Sequence, residues 1–390
     1  MRKRIGLILA IVVVGSLAAF AVATASGTRP AAPSDGPPPK PAAALAYEPG
    51  AGAKGVSPTA TVSARVTSGT FADVALRDGD GKAVDGTLSD DRTRWTASGR
   101  LAYGEHYTWS GTATGENGNS AALEGGFDTV APARQVRGVL NIGDGRTVGV
   151  AAPIEIQFDG HVTDRAAVER ALSVQTSTPV EGAWGWLPDE NGGSRVHYRT
   201  KQYWPTNTKV TVKAALFGVD YGGGAFGRSD LSSSFTIGRA QVVKADANSH
   251  QLVVLRDGKQ VARYPASYGL ASDPDRNTRS GIHVVSEKFT DKRMVSQQFG
   301  YDLVEKWAVR MSNNGEFIHA NPDTTGVQGS SNVTHGCINL SLENAKSYYD
   351  SALYGDPVEV TGTPVKLASR DGDIWDWTLS WDQWKGLSAL

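Results

Sequence analysis

One cysteine and two of seven histidines fall in a short part of this 390-residue sequence, Ile318-His319 followed by Val333-Thr334-His335-Gly336-Cys337-Ile338-Asn339. A thiol attacks a carbonyl as the thiolate, so a cysteine nucleophile needs an imidazole or a positive dipole beside it. His319 and His335 supply the imidazoles. Gly336, directly before Cys337, carries no side chain to obstruct a substrate carbonyl and lets backbone N–H groups aim at a developing oxyanion. Together these residues suit acyl transfer through a thioester, which needs no cofactor. The plain alternative is a structural cysteine beside two surface histidines. A zinc site built from His319, His335 and Cys337 would lack the usual company, since no Cys-x-x-Cys or His-Glu-x-x-His is present. The papain order is also unmatched: there the cysteine comes first, whereas here His319 precedes Cys337.

Positioning these groups requires a sheet. Segments 251–255 and 260–264 alternate like strands around Asp257-Gly258, a pair suited to the positive φ angles of a tight hairpin. Segments 281–285 and 307–311 continue the pattern, and Asn313-Asn314-Gly315 turns into 316–319, placing His319 at a strand end. Residues 321–332 contain Pro322, Gly326 and Gly329 and form a loop that returns the chain to Cys337. Ser341 can cap a helix running to about residue 353, with Leu342, Ala345 and Tyr349 on its inner face and Gly355 as its stop. A last strand follows at 357–361.

The run from His319 to Thr334-His335-Gly336-Cys337-Ile338-Asn339 resembles the signature of the L,D-transpeptidases, the YkuD-type catalytic domain of bacterial peptidoglycan enzymes. The resemblance covers roughly 241–390. It extends more weakly upstream through Tyr203-Trp204-Pro205 and Gly218-Val219-Asp220, which are similar to multidomain actinobacterial members with immunoglobulin-like modules. It implies Cys337 as nucleophile, His319 as its proton-transfer partner oriented by the Ala320 carbonyl, and an oxyanion hole from the N–H groups of His335, Gly336 and Cys337. Tyr301 and Met294 match pocket-wall and lid positions, and Thr334 and Asn339 flank the motif on the substrate side. Two departures stand out: the residues after Met294 are not the usual Asp-Ser-Ser, and Asp323 stands where some relatives carry a lid tryptophan. The implied partners are peptidoglycan stem peptides as donor and acceptor, with carbapenem-type β-lactams as inhibitors. A carboxypeptidase using water as acceptor, and an idle wall-binding protein that kept the motif, remain the rival readings.

Upstream, Arg2-Lys3-Arg4 precedes an apolar or small run over 5–25, followed by a Pro/Ala-rich stretch over 28–46. The first is an export signal or a membrane anchor, and its length favours the anchor; either places the rest outside the cytoplasm. The second suits a stiff spacer. Short alternating segments such as 59–66, 71–76 and 106–112, and later 154–158 and 209–213, predict two β-sandwich modules at 47–130 and 131–240. The second has one helical segment, 163–172, with Thr163 as cap. Trp95, Trp109, Trp184 and Trp186 fit sandwich cores better than sugar platforms. Gly222-Gly223-Gly224 lacks the Lys-Ser/Thr of a phosphate loop and suits a hairpin tip.

The expected fold is therefore mainly β: two immunoglobulin-like modules, a catalytic domain at 241–364 with one flanking helix, and a Trp-rich subdomain at 365–390. In the last, Ser380 and Gln383 are spaced as a capping box, and Trp381 and Trp384 share a helix face. A formal net charge of −1 gives no footing for nucleic acid.

Overall fold

The computed structural model describes residues 40–372 and 374–390. The apolar segment 5–25 and most of the Pro/Ala-rich stretch lie outside the described residues; among those described, no helix is long and apolar enough to cross a membrane. The expected spacer extends too far at its C-terminal end, because Ala44–Glu48 is a strand paired antiparallel with Ser63–Thr67. Leu45 and Tyr47 alternate toward the first core, and that burial outweighs the composition around them.

The first sandwich sets the sheet of Ala44–Glu48, Ser63–Thr67, Arg94–Ala97 and Gly86–Leu88 against one centred on His106–Gly115. Phe71, Leu76, Trp95, Trp109 and Phe127 fill the space between them. The second sandwich opposes a sheet holding Ile154–Phe158 and Gly193–Thr200 to one holding Lys209–Ala214 and Leu231–Ile237. Trp184 and Trp186 are buried in its core. Its helix spans Arg165–Arg170, and Asp164, not Thr163, is the cap: the Asp164 carboxylate accepts from the Ala167 N–H at 2.9 Å. A carboxylate at this position also suits the positive end of the helix. The three glycines at 222–224 form the expected tight tip, all at positive φ.

In the third unit a five-stranded sheet runs in the order Lys259–Pro265, Gln251–Arg256, Gln241–Asp246, Pro357–Thr361, Gly281–Val284. A four-stranded sheet follows in the order Glu287–Ser296, Tyr301–Arg310, Phe317–Ala320, Ile338–Leu340. Val254, Val358, Ile318, Ile338 and Leu340 from the two sheets share one core with Ala345 and Tyr348 of the helix Leu342–Ser351. Ser341 caps that helix as expected, with its hydroxyl accepting from the Asn344 N–H at 3.2 Å. The inner face is wider than expected at one point and narrower at another: Leu342 is 48% exposed, while Tyr348 is buried and Tyr349 packs beside it against the core.

The long hairpin Glu287–Ser296 with Tyr301–Arg310 goes well beyond the sequence expectation, which held only its 307–311 end as a strand. Charged residues occupy both of its faces, so the apolar alternation of a half-buried strand is missing. Cross-strand ion pairs brace it instead, with the Arg293 guanidinium on both Asp302 oxygens at 2.8 and 2.6 Å and Lys306 on Asp291 at 2.8 Å. Its tip therefore projects beyond the core as an arm over the site.

The tail binds the second sandwich to the third unit. Trp384 is fully buried beside Leu187 and Trp375 and donates its indole N–H to the Ala183 carbonyl at 2.9 Å. The Trp377 indole N–H reaches the Ala151 carbonyl at 3.0 Å. Arg199 lies over the rings of Trp377, Trp381 and Trp384 at 4.7, 5.5 and 5.1 Å, a stacked cation well matched to three aromatic faces. The capping box of Ser380 and Gln383 is formed.

Candidate active site

The strands Phe317–Ala320 and Ile338–Leu340 are parallel, with Ile318 opposite Ile338 and His319 opposite Asn339. Because strand side chains alternate, sending Ile318 and Ile338 into the core turns His319 and Asn339 to the opposite face, and Cys337, two residues before Asn339, opens on that same face. Parallel pairing needs a crossover, and residues 321–337 provide it, with one 3-10 turn at Pro322–Thr324 capped by Asn321.

The His319 imidazole is 3% exposed, and its Nδ1–H donates to the Ala320 carbonyl at 2.8 Å, which leaves Nε2 for Cys337. Burial works to lower its pKa, but the Cys337 thiolate and the Glu305 carboxylate outweigh burial and push it up to about 10. The electrostatics thus favour a protonated imidazole beside Cys337. Cys337 is half-buried, with Sγ 3.5 Å from the Gly315 carbonyl.

The turn before Cys337 is fixed from several sides. The Thr334 hydroxyl donates to the Cys337 carbonyl at 2.6 Å and accepts from the Gly336 N–H at 3.3 Å, so its hydrogen bonding is spent within the motif. Thr278 Oγ1 donates to the Gly336 carbonyl at 2.8 Å, and Arg276 Nε to the Thr334 carbonyl at 3.2 Å. Gly336 has φ +113°, and an added Cβ would sit 3.3 Å from the Asn277 carbonyl oxygen. With the Gly336 N–H engaged, two of the three expected oxyanion donors remain: among the described residues, the His335 and Cys337 N–H groups have no acceptor.

His335 packs against the aromatic residues of the hairpin. Its ring lies 4.5 Å from Phe299 and 5.6 Å from Tyr301, and partial desolvation followed by the charge of Arg276 lowers its pKa, keeping it neutral. Tyr301 is held as the neutral phenol, first by burial and then by the thiolate. Asn339 is 3% exposed and donates weakly to Thr324 Oγ1 at 3.4 Å.

Two cavities meet at this point. One, of about 270 Å³, is lined by Cys337, His319, Glu305, Leu303, Val333 and Asn339 among others. The other, of about 460 Å³, lies past Gly336 and includes Lys292, Arg293, Asn314, Gly315 and Arg310. Met294, Phe299, Tyr301 and His335 line both and form the wall between them. No group of three His, Cys, Asp or Glu among the described residues is arranged to hold a metal ion.

Two features of the site were not evident from sequence. Glu305 lies 3.5 Å from His319 Nδ1; its only cue was its spacing of four residues from Tyr301, which puts both on one face of a strand. Behind Gly315, buried Glu316 accepts from the Arg279 N–H at 2.9 Å, Arg279 Nη1 at 3.2 Å and Ser312 Oγ at 3.1 Å, while Arg279 Nε reaches Asp371 at 2.9 Å. This network anchors the turn that faces Cys337, and no local pattern announces it.

Comparison with known proteins gives two family matches. Residues 53–220, spanning most of both sandwiches, match a bacterial Ig domain, and residues 240–360 match an L,D-transpeptidase catalytic domain. L,D-transpeptidase 5 of Mycobacterium tuberculosis is 52% identical over 353 residues, covering 90% of this chain and 78% of that protein. L,D-transpeptidase 2 of the same species is 36% identical over 346 residues, covering 87% and 83%. A solved LD-transpeptidase in complex with imipenem is 32% identical, with a TM-score of 0.50 over 59% of this chain and 100% of that one.

Proposed function

The chain belongs to the L,D-transpeptidases, and on that premise we propose that it forms 3→3 peptidoglycan cross-links through a thioester on Cys337. The Cys337 thiolate attacks the carbonyl of the third residue of a tetrapeptide stem, and the His335 and Cys337 N–H groups receive the oxyanion. His319 gives its proton to the departing D-alanine amine. The side-chain amine of a second stem then resolves the thioester. The observation that carries this reading is the pairing of Cys337 with a buried His319 whose Nδ1 is tied to the Ala320 carbonyl, since that bond fixes the tautomer the reaction requires.

The wall of Met294, Phe299, Tyr301 and His335 divides the site into two cavities, one for each stem. Residues 5–25 serve as tether or export signal, placing the enzyme in the cell envelope. Carbapenems acylate Cys337, because a strained lactam carbonyl fits the same oxyanion donors. Intact-mass measurement after incubation with imipenem, followed by peptide mapping, is expected to find one adduct on the peptide holding Cys337. An adduct elsewhere, or none, would remove the thioester reading.

Two expected results follow from the geometry. Gly336→Ala forces a side chain into a backbone conformation at φ +113° and re-aims the two free N–H groups, so imipenem acylation should slow by about 10- to 10³-fold. Stopped-flow fluorescence measures that rate. Removing residues 40–130 should leave the acylation rate within about twofold, since the first sandwich bonds to the second, as at Arg100–Asp230 and Tyr103–Gly218. The second sandwich bonds directly to the catalytic unit through Tyr354 and Glu359, and to the tail through Asp376, and its removal should cost the fold.

A further inference from the structure

The smaller cavity contains a carboxylate, Glu305, that helps hold the His319 proton and also faces the cavity. Glu305 keeps 13% side-chain exposure, and its one ion-pair contact among the described residues is His319 Nδ1 at 3.5 Å. That nitrogen already donates to Ala320 at 2.8 Å, so Glu305 is an electrostatic neighbour there and its oxygens remain able to accept from a ligand. It contributes the cavity's only acidic side chain, and the cavity has no lysine or arginine in its lining. Leu303 and Val333, 40% and 37% exposed, line the same cavity and offer apolar surface toward its mouth.

The larger cavity has the opposite balance. Lys292, Arg293, Arg279 and Arg310 line it with Asp275 and Glu316, and Lys292 lies over the Phe289 ring at 4.4 Å. Arg293, Arg279 and Arg310 are paired with Asp302, Glu316 and Glu287, which leaves Lys292 to meet the carboxylate that ends a donor stem's leaving residue. An acceptor that presents a primary ammonium on an aliphatic chain suits the acidic cavity.

We propose that Glu305 is a specificity residue that receives the side-chain ammonium of the acceptor, and that the cavity it lines is the acceptor groove. This rests on the transpeptidase reading above. The carboxylate holds the ammonium beside the thioester; one of its protons leaves to solvent through the cavity mouth. The nitrogen lone pair attacks the thioester carbonyl, the amide forms as the C–S bond breaks, and the second proton passes to His319 Nε2. The imidazolium–thiolate pair is thereby restored. A salt bridge in a partly desolvated groove is stronger than one in water, so the carboxylate acts on binding of the acceptor more than on attack of the donor.

The test separates the two half-reactions in the full chain. The donor is a disaccharide-tetrapeptide with its side-chain amine acetylated, and the titrated acceptor is a stem tripeptide ending in a diamino acid with its amine free. Glu305→Gln should raise the acceptor concentration that gives half-maximal cross-linking by about tenfold or more, with a smaller fall in D-alanine release measured without acceptor. Glu305→Asp, which keeps the charge, should recover part of the acceptor affinity. Unchanged acceptor half-saturation, or equal falls in both half-reactions, would overturn the proposal and leave Glu305 as a support for His319 alone. Failure of the unmodified protein to release D-alanine from the donor would instead bring down the transpeptidase reading, and this assignment with it.

Discussion

Cys337→Ala should reduce D-alanine release from a tetrapeptide stem by at least about 10⁴-fold while leaving the protein folded. The size follows from the role: without the sulfur no thioester forms, and oxyanion donors with binding alone give a small residual rate. Folding should survive because Cys337 is half-buried and its thiol contacts, with His319 and at 3.5 Å with the Gly315 carbonyl, belong to the site and not to the core. Release is read by a coupled D-amino-acid assay and folding by thermal melting. Substantial turnover in the variant would move the nucleophile to another residue.

His319→Ala should lower the same rate by about 10²- to 10⁴-fold, the usual contribution of a positioned general acid–base. Its signature is a change in pH profile. With the His319 pKa pushed up by its anionic neighbours, the pair should stay reactive toward iodoacetamide at pH 6, and D-alanine release should decline on the alkaline side as that proton is lost. Without the imidazole, alkylation should fall at least about tenfold at pH 6 and follow an ordinary thiol, whose midpoint lies near about 8.5. His319→Gln, which retains most of the buried volume, guards against misfolding as the cause. Superimposable alkylation profiles for intact and variant proteins would contradict the pair.

The parts of the fold legible in sequence are those set by local chemistry. Asp257-Gly258 declares its turn through positive φ, and both residues adopt it, at 52° and 77°. Ser341 declares a helix start because a hydroxyl there satisfies a free N–H. The cysteine and histidine were visible as residue types, but their proximity depends on the parallel register of Ile318 with Ile338. What stayed hidden depends on distant partners. The hairpin Glu287–Ser296 and Tyr301–Arg310 is braced by cross-strand charges, so its sequence lacks an apolar stripe. Glu305 becomes a pocket residue only when that hairpin folds over His319. The tail tryptophans suggested packing, yet nothing in their spacing points to Arg199 as the cation beneath them. At Asp164 two adjacent residues were both chemically able to cap, and backbone geometry chose between them.

On the proposed mechanism, a transferase and a hydrolase would share a Cys337 thioester and differ in what resolves it. The two cavities on either side of the Met294–Tyr301 wall favour an amine, because a second stem can occupy one while the acyl group fills the other and displaces water. The most direct measurement is mass spectrometry of the products formed from an unmodified disaccharide-tetrapeptide over a range of concentrations. Cross-linked dimer lacking one D-alanine should outpace tripeptide at high substrate, and added D-amino acids should exchange into the terminal position. Tripeptide alone at every concentration, with neither dimer nor exchange, would contradict the account and make the protein a carboxypeptidase.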